Sequence, residues 1–362
     1  MYTLEELLQE LVNRKGSDLH VTAGSPPRIR VDGSLVPLEG DKLSPQDTQN
    51  IIYSILTSEQ IARFERDLEL DLSFGISGLG RFRTNVFLQR GAVGAVLRVI
   101  PFEVSSMREL GLPQKLCEKL CSLPKGLILV TGATGSGKST TLASYVDYIN
   151  SQREGHIVTI EDPIEFVHRN NKCLINQREV GSDTHSFPNA LRAVLREDPD
   201  VVLIGEMRDQ ETILAALTLA ETGHLTFGTL HTSDCVQTIN RVVDVFPAHQ
   251  QQQIRTQLSF TLQAVFCQQL LQRLNGRGRA LAAEIMVANS AVRSLIRDDK
   301  AHQIYSIIQT GGKEGMRTMN QSLFQLYQAN LISYDEALTH TTDADDLKRT
   351  FQRAGASIGE AA

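Results

Sequence analysis

The sequence predicts an α/β fold in which helices cover both faces of a parallel β-sheet. Between Lys125 and about Thr232, short apolar runs typical of buried strands alternate with segments typical of helices. Such alternation indicates parallel strands, because each helix returns the chain to the same edge of the sheet. The expected strands lie at 127–131, 157–160, 201–204 and 225–230, and the expected helices at 139–150, 186–197 and 209–222.

The first 106 residues predict a separate α+β domain. Leucine and valine side chains recur at helical spacing within 1–14, and Thr3 with Glu6 fits a capping box. Further elements expected here are a strand entering a turn at 28–33, a helix start at 44–47 and successive strands over 70–100. This order of helices and strands is typical of an α+β domain.

The core of the chain is bounded by a linker before it and a helical region after it. Gly111, Pro113 and Pro124 surround a short helical pattern, which predicts a hinge-forming linker at 107–124 and an α/β core at 125–245. A helical C-terminal subdomain is expected at 246–348, and a flexible tail at 349–362. Within the subdomain we expect helices at 249–273, 290–297, 300–310 and 317–329 and a strand at 280–287.

The composition carries neither a nucleic-acid nor a membrane signature. The 362 residues are 41% hydrophobic and 22% charged, and the net charge of −6 leaves no overall basic footprint for DNA or RNA. No run approaches the roughly 20 apolar residues of a membrane span, and the N-terminus lacks a signal-peptide pattern, so we expect a cytoplasmic protein. The five cysteines are scattered and form no C-x-x-C pair, which predicts reduced thiols without a metal.

The segment Gly132-Ala-Thr-Gly-Ser-Gly-Lys-Ser139 fits the phosphate-binding pattern G-x-x-x-x-G-K-[ST]. It follows an apolar strand-like run and precedes a helix without glycine or proline, which is the context that the pattern requires. Backbone N–H groups and the positive helix end attract phosphate, while Lys138 adds a cation and the Ser139 hydroxyl can ligate Mg²⁺. The predicted nucleotide-binding residues are Gly132, Ala133, Thr134, Gly135, Ser136, Gly137, Lys138, Ser139 and Thr140.

Two acidic segments follow other predicted strands of the core. The apolar run 201–204 leads into Glu206 and resembles a Walker B strand, so Glu206 would hold Mg²⁺ through water or order the attacking water. Pairing with Arg208 is the alternative structural role of Glu206. The segment 160–165 places three carboxylates within five residues, which also suits a solvated turn. The loop end of a sheet is where doubly wound folds place catalytic groups, and this favours a functional role.

Histidines and arginines supply the remaining candidates. His224 and His231 flank the run 225–230, about 23 Å apart if the strand is extended, which is too far to share a metal. His231 suits a γ-phosphate sensor, although a structural role suits either histidine. The arginines of the first domain suit solvent-facing strand positions, or arginine fingers if the two domains meet across a nucleotide. They are Arg81, Arg83, Arg90 and Arg98.

Four segments resemble, in order and spacing, the Walker A, Asp box, Walker B and His box of the secretion-superfamily ATPases. They are the phosphate loop, 160–165, 205–209 and 223–232. Within that superfamily the chain resembles the PilT-type retraction ATPases of the type IV pilus, from its first residue to about Lys348. Further matching segments are 16–20, 176–180, 196–200, 241–247 and 308–312.

This resemblance implies a RecA-like P-loop ATPase core that a flexible linker joins to an N-terminal PAS-like α+β domain. It implies a homo-hexameric ring that hydrolyses ATP with Mg²⁺ at the cytoplasmic face of the inner membrane. The ring would act on an inner-membrane platform protein of the pilus machinery to drive pilus disassembly and twitching motility. The implied roles are phosphate and Mg²⁺ binding by Lys138 and Ser139, water polarisation by Glu165, Walker B acid and metal ligand for Glu206, γ-phosphate sensing by His231, and nucleotide contacts across the ring by Arg83, Arg98 and Arg241.

Several alternatives stay open at the level of sequence. The segment 291–298 departs from the family motif A-I-R-N-L-I-R-E, with Ser294 in place of asparagine, in a motif associated with retraction rather than hydrolysis. An accessory retraction paralogue fits the same motifs. Assembly and type II secretion ATPases generally carry a longer N-terminus and a tetracysteine zinc element, which this sequence does not show. Intact Lys138, Glu165 and Glu206 disfavour a non-hydrolysing nucleotide-gated scaffold, and the acidic charge disfavours a DNA-translocating motor.

Overall fold

The computed structural model describes residues 2–353, which form two compact units. The first unit contains the residues up to Glu103 together with Glu165–Val167, and the second contains the other described residues. Neither unit contains, within the described part of the chain, a helix with the length and apolar character needed to cross a bilayer.

The first unit is built on a six-stranded antiparallel sheet. Its strands are β1 (Asp18–Val21), β2 (Arg28–Val31), β3 (Ser34–Pro37), β4 (Glu69–Ile76), β5 (Gly80–Gln89) and β6 (Ala92–Ile100), in the order β3-β2-β1-β6-β5-β4. Three helices accompany the sheet: α1 (Leu4–Asn13), α2 (Pro45–Tyr53) and α3 (Ser58–Asp67). The predicted capping box of Thr3 and Glu6 is confirmed at the start of α1, and Ser44 caps α2 in the same way.

The second unit is built on a seven-stranded sheet that is parallel except for one edge strand. Its strands are β7 (Gly126–Thr131), β8 (Gly155–Glu161), β9 (Cys173–Glu179), β10 (Val201–Ile204), β11 (Leu225–Leu230), β12 (Leu262–Gln272) and β13 (Arg279–Val287). The order is β13-β12-β7-β11-β10-β8-β9, and β13 alone runs antiparallel to its neighbour. The parallel core predicted from the alternating pattern is therefore confirmed.

Helices cover both faces of this second sheet. They are α4 (Gln114–Cys121), α5 (Lys138–Gln152), α6 (Phe187–Val194), α7 (Gln210–Glu221), α8 (Cys235–Asp244), α9 (Ala248–Thr261), α10 (Ser290–Arg297), α11 (Ile304–Thr310), α12 (Met319–Gln328), α13 (Tyr334–His340) and α14 (Ala344–Arg353). Along β7, Leu127 and Leu129 pack into one apolar layer, and Ile128 and Val130 pack into the other. Burial on both faces explains why the central strands read as continuous apolar runs.

The helix predicted over 249–273 is wrong in its second half. The helix α9 ends at Thr261, and the chain continues directly into β12, which pairs with β7 beside the phosphate loop. A strand that is buried on both faces lacks the two-residue alternation that marks a half-buried strand. Even the polar side chain of Gln268 in this strand is only 1% exposed. The region 246–348 is therefore not purely helical, because β12 and β13 belong to the central sheet.

The predicted linker and tail also differ from the structure. Most of 107–124 packs in the second unit, where Cys117 and Leu120 of α4 lie in a core with Tyr145. The start predicted for the tail, residue 349, is too early, because 349–353 is the end of α14 and the Phe351 ring packs against Phe324 at a centroid distance of 5.0 Å. Residues 354–362 lie outside the described part of the chain.

Candidate active site at the carboxyl edge of the parallel sheet

Four neighbouring parallel strands end at the same edge of the second sheet. In the register of the sheet Thr131 of β7 lies opposite Leu230 of β11, and Ile204 of β10 lies opposite both Gly228 of β11 and Ile160 of β8. The segments that follow these strands are the phosphate loop, the turn after β10, the histidine-containing turn after β11 and the acidic turn after β8. Four sequence motifs are thus brought to one edge, where doubly wound folds bind ligands.

The phosphate loop takes a conformation that requires glycine. Gly132, Gly135 and Gly137 have φ values of 140°, 80° and 91°, a region that residues with a Cβ rarely adopt. A Cβ on Gly132 would lie 2.4 Å from the Gln268 carbonyl oxygen and 2.6 Å from Ser136 Oγ. Gly137 then caps α5, whose N-terminal N–H groups and dipole favour an anion. The loop therefore has the backbone form that cradles phosphates.

Two side chains of the loop indicate that it binds a ligand with hydrogen-bonding oxygens. The Lys138 ammonium group donates to the carbonyl oxygens of Gly132 at 2.8 Å and Ala133 at 3.0 Å. Burial lowers the pKa of Lys138, and the nearby Glu206 carboxylate opposes that shift. Ser136 is 5% exposed, and its hydroxyl has no hydrogen-bond partner within residues 2–353. Thr134 and Ser139 are exposed, and Thr140 is half-buried.

Glu206 is the centre of a charged cluster beside the loop. One carboxylate oxygen lies 2.6 Å from Arg208 Nε and 3.2 Å from His231 Nε2, and the other accepts from Arg208 Nη2 at 2.7 Å. The hydrogen bond from Arg208 holds the pKa of Glu206 below its usual value despite partial burial, and His231 and Lys138 add to this effect. Glu206 therefore remains ionised at neutral pH.

Backbone hydrogen bonds fix the turn that carries Glu206. The Gly205 N–H donates to the Ile160 carbonyl oxygen at 2.8 Å, and the Met207 N–H donates to the Thr229 carbonyl oxygen at 3.0 Å. The Thr229 hydroxyl also donates to the Gly205 carbonyl oxygen. The turn is thus held between the ends of β8 and β11, and the buried Thr229 couples it to the strand that ends one residue before His231.

The acidic turn after β8 separates the three carboxylates predicted as one group. Glu161 accepts a hydrogen bond from the Thr159 hydroxyl at 2.6 Å. The pKa of Arg208 is raised chiefly by Glu206, and the negative charge of Asp162 adds to that shift. Glu165 is exposed and begins the segment Glu165–Val167, which belongs to the first unit. Asp162 is thereby linked to the Glu206 cluster through Arg208.

The two histidines that flank β11 have different surroundings. The backbone N–H of His224 donates to the Leu219 carbonyl oxygen, and its ring Nδ1 lies 3.0 Å from the same oxygen at the end of α7. His231 lies at the opposite end of the strand with its side chain 44% exposed and against Glu206. The structure therefore assigns His224 to local structure and brings His231 to the charged cluster.

The predicted arginines lie on β5, β6 and α8. Arg83 and Arg98 lie directly opposite each other on β5 and β6 of the first unit, and Arg98 Nε pairs with Asp18 at 2.8 Å. Arg241 is exposed in the last turn of α8. Arg83 and Arg98 thus form, with Arg30 near Asp18, a positively charged row on one face of the first sheet.

Sequence reasoning missed one residue that supports the loop. Gln268 of β12 exchanges hydrogen bonds with the Thr141 hydroxyl in the first turn of α5, at 2.9 Å for Gln268 Nε2. Both residues are buried. The available signal was a glutamine within the apolar run 264–271, because a buried amide needs a hydrogen-bond partner.

Comparison with known proteins agrees with this geometry. The family model described as type II/IV secretion system protein matches residues 1–330. The chain is 51% identical to the type IV pilus retraction ATPase PilT of Pseudomonas aeruginosa, over 92% of this chain and 96% of the relative. It is 46% identical to a twitching motility protein of Neisseria gonorrhoeae, over 96% of this chain and 92% of that protein.

A solved structure extends the likeness to three dimensions. The crystal structure of the pilus retraction motor PilT with bound ADP matches with a TM-score of 0.90 at 50% identity, covering 96% of this chain and all of that one. The predicted α/β class with a RecA-like P-loop core is confirmed by this match and by the parallel sheet. The chain is therefore a member of the type II/IV secretion system protein family.

Proposed function

We propose that this chain is an ATP-hydrolysing motor that powers type IV pilus retraction, and so pilus disassembly and twitching motility. The observation that carries the proposal is the convergence of Lys138, Glu206 and His231 on the phosphate loop at one sheet edge. The process is supported by the printed names of the two relatives, which cover more than nine-tenths of the chain.

The chemistry follows from what each side chain can do to a triphosphate. Loop N–H groups and Lys138 would neutralise charge on the phosphate oxygens as the terminal bond breaks. Ser139 and Glu206 offer the hydroxyl and carboxylate oxygens that Mg²⁺ prefers, and the ion would add positive charge at the same oxygens. His231, held against Glu206 at 3.2 Å, would sense the γ-phosphate, and Glu165 would polarise the attacking water.

The motor itself would be a homo-hexameric ring. Arg83 lies directly opposite Arg98, and although Arg98 pairs with Asp18, the row keeps a net positive charge that would attract an anion between subunits. Arg241 would approach the nucleotide in the same way. Hydrolysis would change the angle between the two units about the residues that connect them. The ring would work at the inner face of the inner membrane on the pilus platform protein.

Phosphate release from purified protein tests the enzymatic part of the proposal. Lys138→Ala should lower Mg²⁺-dependent ATP turnover by about 10³-fold, because the main cation facing the phosphates is lost. Lys125→Ala is the matched control, since Lys125 is an exposed lysine just before β7. Equal phosphate release by wild type and Lys138→Ala would contradict the enzyme and leave a nucleotide-gated scaffold.

Deletion of the gene in its own host tests the direction of the motor. Loss of a principal retraction motor should increase the number of surface pili and abolish twitching, and Lys138→Ala should fail to restore either. Fewer surface pili after deletion would indicate an assembly motor instead. Unchanged twitching with intact ATP turnover would indicate the accessory paralogue.

A further inference from the structure

The fold brings together two cysteines and a glutamate that are far apart in the sequence. Cys235 begins α8, Cys267 lies in the middle of β12, and Glu284 is its direct cross-strand partner on β13. The two Sγ atoms are 3.7 Å apart, and the thiols and a Glu284 carboxylate oxygen all lie within 4.8 Å of one another. Both cysteines are completely buried, and Glu284 is 4% exposed.

The geometry of this cluster suits a tetrahedral metal. A zinc–sulfur distance of about 2.3 Å in a tetrahedron places two sulfur ligands about 3.8 Å apart, close to the observed separation. Thiolate ligands select zinc and similarly soft cations over Mg²⁺ or Ca²⁺. Two hydroxyls border the same space: Thr131 Oγ1 lies 3.0 Å from Cys267 Sγ, and Thr238 Oγ1 lies 3.7 Å from it. A hydroxyl or a water could supply a fourth ligand.

The surroundings of Glu284 point in the same direction. Its carboxylate accepts from the Cys235 backbone N–H at 2.9 Å, but no lysine, arginine or histidine within residues 2–353 forms an ion pair with it. Buried carboxylates are usually paired with a cation or coordinate a metal. A divalent cation beside two thiolates would stabilise the ionised carboxylate of Glu284, and its binding would release the thiol protons to solvent.

We propose that Cys235, Cys267 and Glu284 form a binding site for one thiophilic divalent cation of the zinc class. The sequence spacing predicted reduced thiols without a metal, since 31 residues separate the two cysteines and only the strand order brings them together. The site is separate from the Mg²⁺ ligands proposed above. It lies behind the phosphate loop, because Thr131 directly precedes Gly132 and the Thr238 hydroxyl contacts that of Thr232, next to His231.

Metal content of the purified chain tests the proposal directly. Protein made without a histidine tag, loaded with zinc and then passed through gel filtration should retain about one zinc per chain. Cobalt(II) in its place should give thiolate-to-cobalt charge-transfer absorption in the near ultraviolet. Cys267→Ala and Cys235→Ala should each lower zinc affinity by more than about 10-fold and weaken that band.

Two controls separate metal binding from a loss of folding. Cys173→Ala removes a buried cysteine whose sulfur contacts backbone carbonyl oxygens instead, so it should keep the zinc. Wild type and Cys173→Ala should both show a higher melting temperature with zinc than with a chelator, and Cys267→Ala should not. The proposal is overturned if wild type retains no zinc after loading, if Cys267→Ala retains as much as wild type, or if thiol titration of the unfolded chain finds Cys235 and Cys267 joined as a disulfide.

Discussion

The two ends of β11 carry the same residue type and use it in opposite ways. At the amino end, His224 bonds to the backbone at the end of α7 and so completes local structure. At the carboxyl end, His231 pairs with the carboxylate of Glu206 and stays partly open to solvent. The difference shows that the bonding partner distinguishes a candidate functional residue. A side chain that bonds to the backbone completes local structure, whereas side chains that bond to one another can exchange that bond for a ligand.

The acids at the two edges repeat this contrast. Asp200, at the amino edge, accepts from the His156 backbone N–H at 2.8 Å and lies so close to Gly155 that a Cβ there would be 2.8 Å from its carboxylate. Glu206, at the carboxyl edge, bonds to Arg208 and His231 instead. Asp200 therefore stabilises the local backbone, whereas Glu206 belongs to a cluster of side chains that a phosphate ligand can rearrange.

Replacement of Glu206 is expected to give the largest effect on turnover in this comparison. Glu206→Gln keeps the shape of the side chain but removes the charge that pairs with Arg208 and His231. We expect kcat for ATP hydrolysis to fall by about 10²–10³-fold, the scale for losing one preorganised electrostatic group. Steady-state phosphate release measures the fall, and equilibrium binding of labelled ATP shows whether nucleotide affinity is kept.

The matched control for that variant is an acid of similar chemistry outside the site. Glu211 is exposed on α7 and pairs with Arg192. Because exposed ion pairs contribute little to stability, Glu211→Gln should leave kcat and stability nearly unchanged. If Glu206→Gln keeps kcat as Glu211→Gln does, Glu206 has no role in turnover, and the acid at the carboxyl edge is equivalent to an acid elsewhere on the surface.

The sequence predicted the local parts of this site and not those that depend on strand order. Gly132 to Ser139 were recognisable because strand, loop and helix are contiguous, and the same holds for the turn carrying Glu206. The strand β12 was missed because burial on both faces removes the alternating pattern. Its contact from Gln268 to Thr141, and the approach of Cys235 to Cys267, join residues that only the sheet order brings together.

The paired histidine variants give a smaller effect and sharpen the comparison most directly. His231→Gln should lower kcat by about 10-fold, the scale of one lost hydrogen bond to a charged group, with little change in stability. His224→Ala should lower the free energy of unfolding by about 1 kcal/mol through its lost bond to Leu219, with unchanged kcat. Phosphate release and urea unfolding measure the two quantities. Equal kcat losses in both variants would remove the distinction between the two ends of β11.

A third histidine, His168, extends the comparison to a residue that is expected to leave turnover unchanged. Burial lowers the pKa of His168 from its ordinary 6.5 to about 4, so the folded chain keeps the ring neutral while the unfolded chain binds a proton below 6.5. Above about pH 6.5 the buried neutral ring therefore costs no pH-dependent stability. The free energy of unfolding then decreases as the pH falls from 6.5 towards 4. Between about pH 7.5 and about pH 4.5 this loss amounts to roughly 2–3 kcal/mol.

The experiment compares wild type with His168→Gln at matched pH, because other titrating groups then cancel. Native-state hydrogen exchange at the amides of the second unit should show the stability difference between the two proteins shifting in favour of His168→Gln as the pH falls. The exposed His185 supplies the control variant His185→Gln, which should follow wild type at each pH. A wild-type chain that loses no more stability than His168→Gln in acid would mean that the folded ring accepts a proton. In that case His168 would belong with the solvent-accessible histidines, as His231 does, rather than with the buried structure of the second unit.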